Sequence, residues 1–239
     1  MIPKIIHYCW FGRGKMPDLA LKCIESWKKY CPDYEIIEWN EDNFDINCNS
    51  YVKEAYENKK YAFVSDYVRL YAMFTQGGIY MDTDVEVVKS LDEFLGHQGF
   101  SGFESDTKIP TGIMAGEKGF DLFRELLSYY DGKHFIDAKG VMDTTTNTVT
   151  ITNLLTEKGF IPKGQYQVIQ GFALYPRDVF CPLDSVTWKM YRTKRTATIH
   201  WFNQSWVDPK SRRIGKITRL FHRFFGPNCF NLLKRILKR

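Results

Sequence analysis

Asp82 and Asp84 flank Thr83 directly after the run Gly77, Gly78, Ile79, Tyr80, Met81. Two carboxylates two residues apart at a strand end point to one side and can converge on a single hard cation. Such a cation neutralises a nucleotide diphosphate and stabilises it as a leaving group in a transfer reaction. Asp-x-Asp alone is a weak signal, because exposed acidic turns are common. Its setting adds weight: an apolar strand and a double glycine precede it, where the backbone can come close to a ligand.

Asp66 and Arg69, three apart, share one face of a helix. Spacing alone favours a surface ion pair contributing at most about 1 kcal/mol. The functional alternative is a carboxylate and a guanidinium that hold the hydroxyls of a sugar. Near the other end stands the run His200, Trp201, Phe202, Asn203, Gln204, Ser205, Trp206. A lone histidine is more often a hydrogen-bonded structural group than a ligand. Beside two aspartates, however, His200 completes a mixed nitrogen and oxygen set that suits manganese better than magnesium. Trp10 closes the first apolar stretch, just before Gly12 and Gly14. It either packs in the core or, at the carboxyl end of a strand, stacks on a nucleotide base. The run Gly12, Arg13, Gly14, Lys15 meets the spacing of neither a dinucleotide fingerprint nor a P-loop.

The elements that must position these residues follow from periodicity. Ile2 to Trp10 reads as a buried strand, Leu19, Cys23, Ile24 and Trp27 fall at helical spacing, and Tyr34 to Trp39 alternates as a strand. This β, α, β order predicts an α/β sheet with crossover helices. Lys60 to Gln76 predicts an amphipathic helix ended by a left-handed Gly77, followed by a short strand over Ile79 to Asp82. Phe100 to Phe103, Ile113 to Ala115 and Thr196 to Trp201 read as strands, and Phe120, Phe123, Leu127 and Tyr130 mark a helix. The stretch Thr144 to Thr152 is ambiguous: its β-branched residues favour a strand, while Ile151, Leu154 and Leu155 suit a helix.

Composition sets limits. The chain of 239 residues carries 33 basic and 28 acidic side chains. Ten of the basic ones and none of the acidic ones lie in 210–239, so residues 1–209 are net −5. An acidic body with a basic tail is a local electrostatic device and argues against a general nucleic-acid binder. The expected organisation is one domain over 1–209 and a basic amphipathic helical tail over 210–239 that associates with an anionic membrane surface. On a helical wheel Ile214, Ile217, Phe221, Phe224 and Phe225 oppose Arg212, Lys216, Arg219 and Arg223. The six cysteines form no Cys-x-x-Cys pair, which argues against a zinc ribbon or a disulfide scaffold. With no signal-peptide pattern and no long apolar run, a cytoplasmic protein, peripheral on the inner face of the cell membrane, is expected.

Taken in order, Ile2 to Gly12 with His7 and Trp10, Ala62 to Arg69, Gly77 to Asp84 and His200 to Trp206 resemble glycosyltransferase family 32, the DXD-motif sugar-binding transferases. The family includes relatives of Golgi initiating mannosyltransferases and, more distantly, of clostridial toxin glucosyltransferase domains. The segment Leu174 to Pro182 is similar to its bacterial capsular and lipopolysaccharide branch. The resemblance implies a GT-A fold, Rossmann-like with a mixed central sheet flanked by helices, and a retaining mechanism with Mn2+ or Mg2+. It also implies a nucleotide-sugar donor, UDP-sugar favoured with GDP-mannose as the other candidate, and a lipid-linked oligosaccharide acceptor in surface polysaccharide synthesis. Carried over by position, Trp10 stacks on the base, Asp66 and Arg69 hold the donor sugar, and Asp82 contacts ribose and metal. Asp84 and His200 ligate the metal, and Ser205 with Trp206 closes over the diphosphate. The chain departs from the pattern at Trp201, where a second histidine often stands, and in Thr144 to Thr150, which lacks an expected Gly-Pro.

Two other readings remain at this point. A haloacid-dehalogenase-like phosphotransferase or phosphatase also places Asp-x-Asp at a strand end, although near the N-terminus and with Thr or Val where this chain has Glu86. A non-enzymatic, membrane-binding adaptor would account for the tail alone.

Overall fold

Ile79, Tyr80 and Met81 are all buried yet divide between two cores, as the alternating side chains of a strand covered on both faces must. The computed structural model describes residues 1–203, 215, 218–219, 221–226 and 229–230. In chain order the elements are β1 (Ile5–Cys9), α1 (Asp18–Tyr30), β2 (Glu35–Trp39), α2 (Ser50–Glu57), α3 (Tyr61–Thr75), β3 (Gly78–Met81), β4 (Val85–Val87), β5 (Gly99–Gly102) and β6 (Ile113–Gly116). They continue with α4 (Asp121–Ser128), α5 (Asn147–Glu157), β7 (Gln167–Ile169), β8 (Phe172–Tyr175), α6 (Arg177–Phe180) and β9 (Thr198–His200).

The main sheet runs β2-β1-β3-β6-β5-β8-β7, and β4 pairs with β9 in a second, small one. β1 is parallel to both β2 and β3, and β5 to β8, whereas β6 is antiparallel to β3 and β5, and β7 to β8. On one face Tyr80, Met114 and Leu174 pack with Val52 of α2, Val68 of α3, Leu126 of α4 and Ile151 of α5. On the other, Ile79, Met81, Ile113 and Ala173 pack with Cys23 and Trp27 of α1 and Phe180 of α6. The result is the expected α/β architecture, a mixed sheet flanked by helices.

The chain leaves β1 for β2 on one side and returns to β3 on the other. Their shared carboxyl ends therefore form the switch point at which open α/β sheets bind ligands. Trp10 follows β1 there and Asp82 follows β3.

The turn from α3 into β3 uses two positive-φ glycines, Gly77 at +71° and Gly78 at +107°. A Cβ on Gly77 would lie 2.5 Å from the Lys118 backbone nitrogen, so glycine is required on both steric and conformational grounds. Beside this turn, buried His7 of β1 links β2 to the turn that leads into β3. Its Nδ1 accepts from Trp39 Nε1 at 3.0 Å, and its Nε2 donates to the Gly77 carbonyl at 2.8 Å. Indole only donates and carbonyl only accepts, which makes His7 a neutral Nε2–H tautomer.

Thr144 to Thr152 divides: α5 starts at Asn147, and buried Ile151 and Leu155 give it a core-facing side. Burial outweighs the strand propensity of its threonines. Of the 210–239 tail, the described part includes a helical turn over 221–225 that exposes Phe221, Phe224 and Phe225. Ile214, Ile217, Arg212 and Lys216 lie outside the described residues.

Candidate active site

The motif's convergence comes from a turn. β3 ends at Met81 and β4 starts at Val85, so Asp82 and Asp84 are not paired along a pleated strand as the sequence reading has them. Val85 N–H donates to the Asp82 carbonyl at 3.0 Å, which closes a four-residue turn, and Asp82 N–H donates to the Gly112 carbonyl at 2.8 Å. β4 then pairs antiparallel with β9 in the register Val85 to His200, bringing His200 beside Asp84.

Each aspartate meets a different cation. Arg69 Nη2 lies 3.3 Å from Asp82 Oδ1 and 3.2 Å from Asp66 Oδ1. His200 Nε2 lies 3.2 Å from Asp84 Oδ1, and Asn203 N–H donates to Asp84 Oδ2 at 2.7 Å. Burial disfavours charge on both members of the second pair. Their mutual attraction outweighs it, holding the Asp84 carboxyl below and the His200 imidazole well above their usual values.

Asp82, Asp84 and His200 each offer a ligand atom, all within 4.8 Å of one another. The three side chains are 29%, 16% and 11% exposed, so they line a shallow recess. His200 Nδ1 is buried with no nitrogen or oxygen partner, although the Cys181 thiol lies against the ring. Two carboxylates and an imidazole fit a divalent cation, whose binding would displace the proton that His200 holds against Asp84. Gly112 makes the convergence possible: an added Cβ would sit 2.6 Å from His200 Cε1, 2.8 Å from its Nδ1 and 3.2 Å from Asp82 Oδ2.

The Asp66–Arg69 pair is not at the surface, where spacing alone placed it. Both side chains are less than a tenth exposed, because α3 is covered by the sheet on one side and by α2 and α4 on others. Arg69 also donates through Nη1 to the Thr111 carbonyl and Oγ1 at 2.8 and 3.0 Å, and through Nε to the Ser65 carbonyl at 3.2 Å. Its guanidinium rests 4.6 Å from the Tyr80 ring centre, and Tyr80 OH donates to Asp82 Oδ1 at 3.0 Å. Asp66 is pushed up to about 6 by burial, against the pull of the Arg69 charge and the Asn147 N–H. Asn147, first residue of α5, donates through Nδ2 to the Asp66 carbonyl at 2.6 Å and accepts from Tyr130 OH at 2.7 Å.

Trp10 is half-buried against the α1 side of the core and donates its indole N–H to the Gly14 carbonyl at 2.6 Å. It stands at the sheet end that carries Asp82. Gly12, with φ +91°, lets this loop fold onto Tyr61, whose ring would lie 2.3 Å from an added Cβ. Ser205 and Trp206 lie outside the described residues. A cavity of about 360 Å³ lined by Gln98, Glu117, Lys118 and Lys158 is a different place: Gly116 beside it pairs with Gly78, at the opposite end of β3 from Asp82.

Tyr80, Thr111, Gly112, Asn147 and Asn203 are members of the site that sequence reasoning did not single out. Asn203 stood inside the quoted closing run, and Tyr80 inside the quoted motif. Thr111, Gly112 and Asn147 carry no local signal, because their partners lie in distant segments.

Residues 17–101 match the family described as "Glycosyltransferase sugar-binding region containing DXD motif". That span holds Asp66, Arg69, Asp82 and Asp84 and ends before Thr111, Asn147 and His200. The chain is 29% identical to inositol phosphoceramide mannosyltransferase 3 of Schizosaccharomyces pombe, over 49% of this chain and 34% of that protein. It is 28% identical to mannosyl phosphorylinositol ceramide synthase SUR1 of Saccharomyces cerevisiae, over 61% of this chain and 40% of that protein. The matched stretches thus span little more than a third of these curated relatives. Among solved structures the PaToxG glycosyltransferase superposes with a TM-score of 0.50 at 20% identity, over 66% of this chain and 70% of that one, a likeness of fold.

Proposed function

We propose that the chain, whose residues 17–101 match the DXD-type sugar-binding family, is a family 32-like glycosyltransferase that moves a hexose from a nucleotide sugar to a lipid-linked oligosaccharide, with retention at the anomeric carbon. The observation that carries the reading is the convergence of Asp82, Asp84 and His200 within 4.8 Å beside the buried Asp66–Arg69 pair. Two relatives named for mannosyl transfer to inositol phosphoceramide support a lipid-borne acceptor and place GDP-mannose beside UDP-sugars among the donors to test.

In this reading Asp82, Asp84 and His200 hold Mn2+ or Mg2+. When bound, the ion neutralises the diphosphate and stabilises its departure. Arg69, fixed by Ser65 and Thr111, and Asp66, fixed by Asn147, orient the sugar. The bond from the anomeric carbon to the phosphate oxygen breaks, a bond to the acceptor hydroxyl oxygen forms, and the hydroxyl proton passes to the oxygen of the departing diphosphate. No side chain is assigned as a nucleophile. Rate comes from positioning and from preorganised charge. Trp10 stacks on the base at the carboxyl end of β1, and Ser205 with Trp206 closes over the diphosphate.

The basic 210–239 tail attaches the enzyme to the anionic inner face of a membrane, where the acceptor lies. No helix among the described residues is long and apolar enough to cross a membrane.

A screen of UDP-hexoses and GDP-mannose for nucleoside diphosphate release with Mn2+, and with excess chelator, tests the reading. Release with one donor, abolished by chelator, is expected. Release of phosphate from a phosphomonoester, with every nucleotide sugar untouched, would return the site to the haloacid dehalogenase alternative.

A further inference from the structure

We propose that the hairpin over residues 184–195 is a second membrane-docking element, which inserts its aromatic tip into an anionic bilayer beside the tail. The inference extends the membrane placement above, but it does not require that the chain transfer sugar.

The hairpin exposes Val186, Trp188, Met190 and Tyr191, the largest cluster of exposed apolar side chains close together in the described sequence. Lys189 lies among them and Arg192 and Lys194 directly follow, all three exposed, while Arg195 is held by Asp178 through Nε and Nη2; no acidic residue occurs in the sequence between Asp184 and Asn203. Aromatic rings alternating with cations are the chemistry of a bilayer interface: rings sit at headgroup depth and cations meet lipid phosphates.

This is a built surface and not a loose loop. Asp184 Oδ1 accepts from the N–H groups of Val186 and Thr187 and from Thr187 Oγ1. Asp184 N–H donates to the Lys189 carbonyl at 2.9 Å, and Trp188 N–H to the Asp184 carbonyl at 2.8 Å. Arg177 clamps the base, with Nη1 3.1 Å from Asp184 Oδ2 and its guanidinium 4.9 Å from the Tyr191 ring centre.

Within this frame Trp188 adopts φ +56°, a conformation that costs a bulky residue energy. Trp188 as a whole is 37% exposed, so the strained residue sits at the protein surface. Arg219 of the tail lies 4.9 Å from the Trp188 ring centre, which joins the hairpin to the segment that presents Phe221, Phe224 and Phe225. β9 follows the hairpin and ends at His200, so docking here would fix the candidate site relative to the bilayer.

The test uses the full chain and co-sedimentation with phosphatidylglycerol–phosphatidylcholine vesicles, with pure phosphatidylcholine as the neutral reference. Trp188→Asn removes the ring and suits the left-handed conformation, so the variant is expected to melt no lower than wild type. It should bind anionic vesicles about tenfold more weakly. Lys189→Ser with Arg192→Ser should weaken binding about thirtyfold, and 0.5 M salt should erase the difference on the order expected for two surface charges. Wild-type pelleting by both variants would overturn the proposal. So would hairpin-dependent capture of a single-stranded oligonucleotide in the absence of vesicle binding.

Discussion

His200 Nε2 lies 3.2 Å from Asp84 Oδ1, so the second aspartate of the motif has a cation of its own while the first has Arg69. The two carboxylates are therefore not a bare repelling pair. Their charges are already compensated in the protein.

That arrangement changes what Asp84→Asn should do. Two carboxylates that only repelled each other would gain from neutralising one, with hardly any change in folding. The variant instead weakens contacts with His200 and with Asn203 N–H, and should cost about 2 kcal/mol. Sugar transfer should fall about 100 to 1,000-fold. Chemical unfolding and nucleoside diphosphate release on the same preparation measure both, and undiminished transfer would remove Asp84 from the metal.

Arg69→Ala leaves Asp66 and Asp82 without their shared cation in a buried place, and should cost about 3–5 kcal/mol. Lost activity in that variant would then not separate a ligand from a structural role. Arg69→Lys does: it keeps the charge but not the fork that reaches Ser65, Thr111, Asp66 and Asp82 together. Expected are a smaller stability loss and a fall of at least about tenfold in kcat/KM. A lysine variant with full turnover would leave the pair structural.

Gly112→Ala adds a methyl group 2.6 Å from the His200 ring, on a backbone tied to Asp82 N–H. The protein should fold with a loss of about 1–3 kcal/mol. Its three-ligand recess should open, so that Mn2+ affinity, followed by the paramagnetic resonance of the free ion, drops by about tenfold or more. Wild-type affinity would show that this recess is not where the ion binds.

His7 predicts a pH dependence of stability. Burial lowers it to about 4, although the Gly77 carbonyl pulls the other way. The folded value lies below the unfolded one of 6.5, so the contribution is complete above pH 6.5 and is lost as pH falls toward 4. The full loss is about 3 kcal/mol. Urea unfolding at pH 7 and pH 5 should show roughly half of it or more in the wild type, and a flatter profile in His7→Gln. Parallel profiles for the two proteins would rule out this assignment.

Local sequence determined the elements that carry the motifs, β1, α3, β3 and β9 among them, and the order of the chemistry-bearing residues, whereas α2, β4, β7, β8 and α6 are not read from it. Apolar runs flanked by helical periodicity imply a covered sheet, two glycines after α3 imply a turn that only positive φ allows, and the acidic motif then emerges at the end of β3. These features rest on interactions within a few residues, which is why they can be read along the chain.

Tertiary structure decided everything that depends on distant partners. Spacing made Asp66 and Arg69 a surface pair, but burial of α3 on several sides turned them into a desolvated pair braced by Thr111 and Asn147. Spacing put Asp82 and Asp84 on a strand, but a turn and the β4–β9 pairing set their directions and delivered His200. Gly112 carries no motif, and only the approach of the His200 ring shows why a side chain is excluded there. The physical reason is common to all three: burial and charge compensation are sums over neighbours in space, and the chain brings those neighbours together only when the sheet closes.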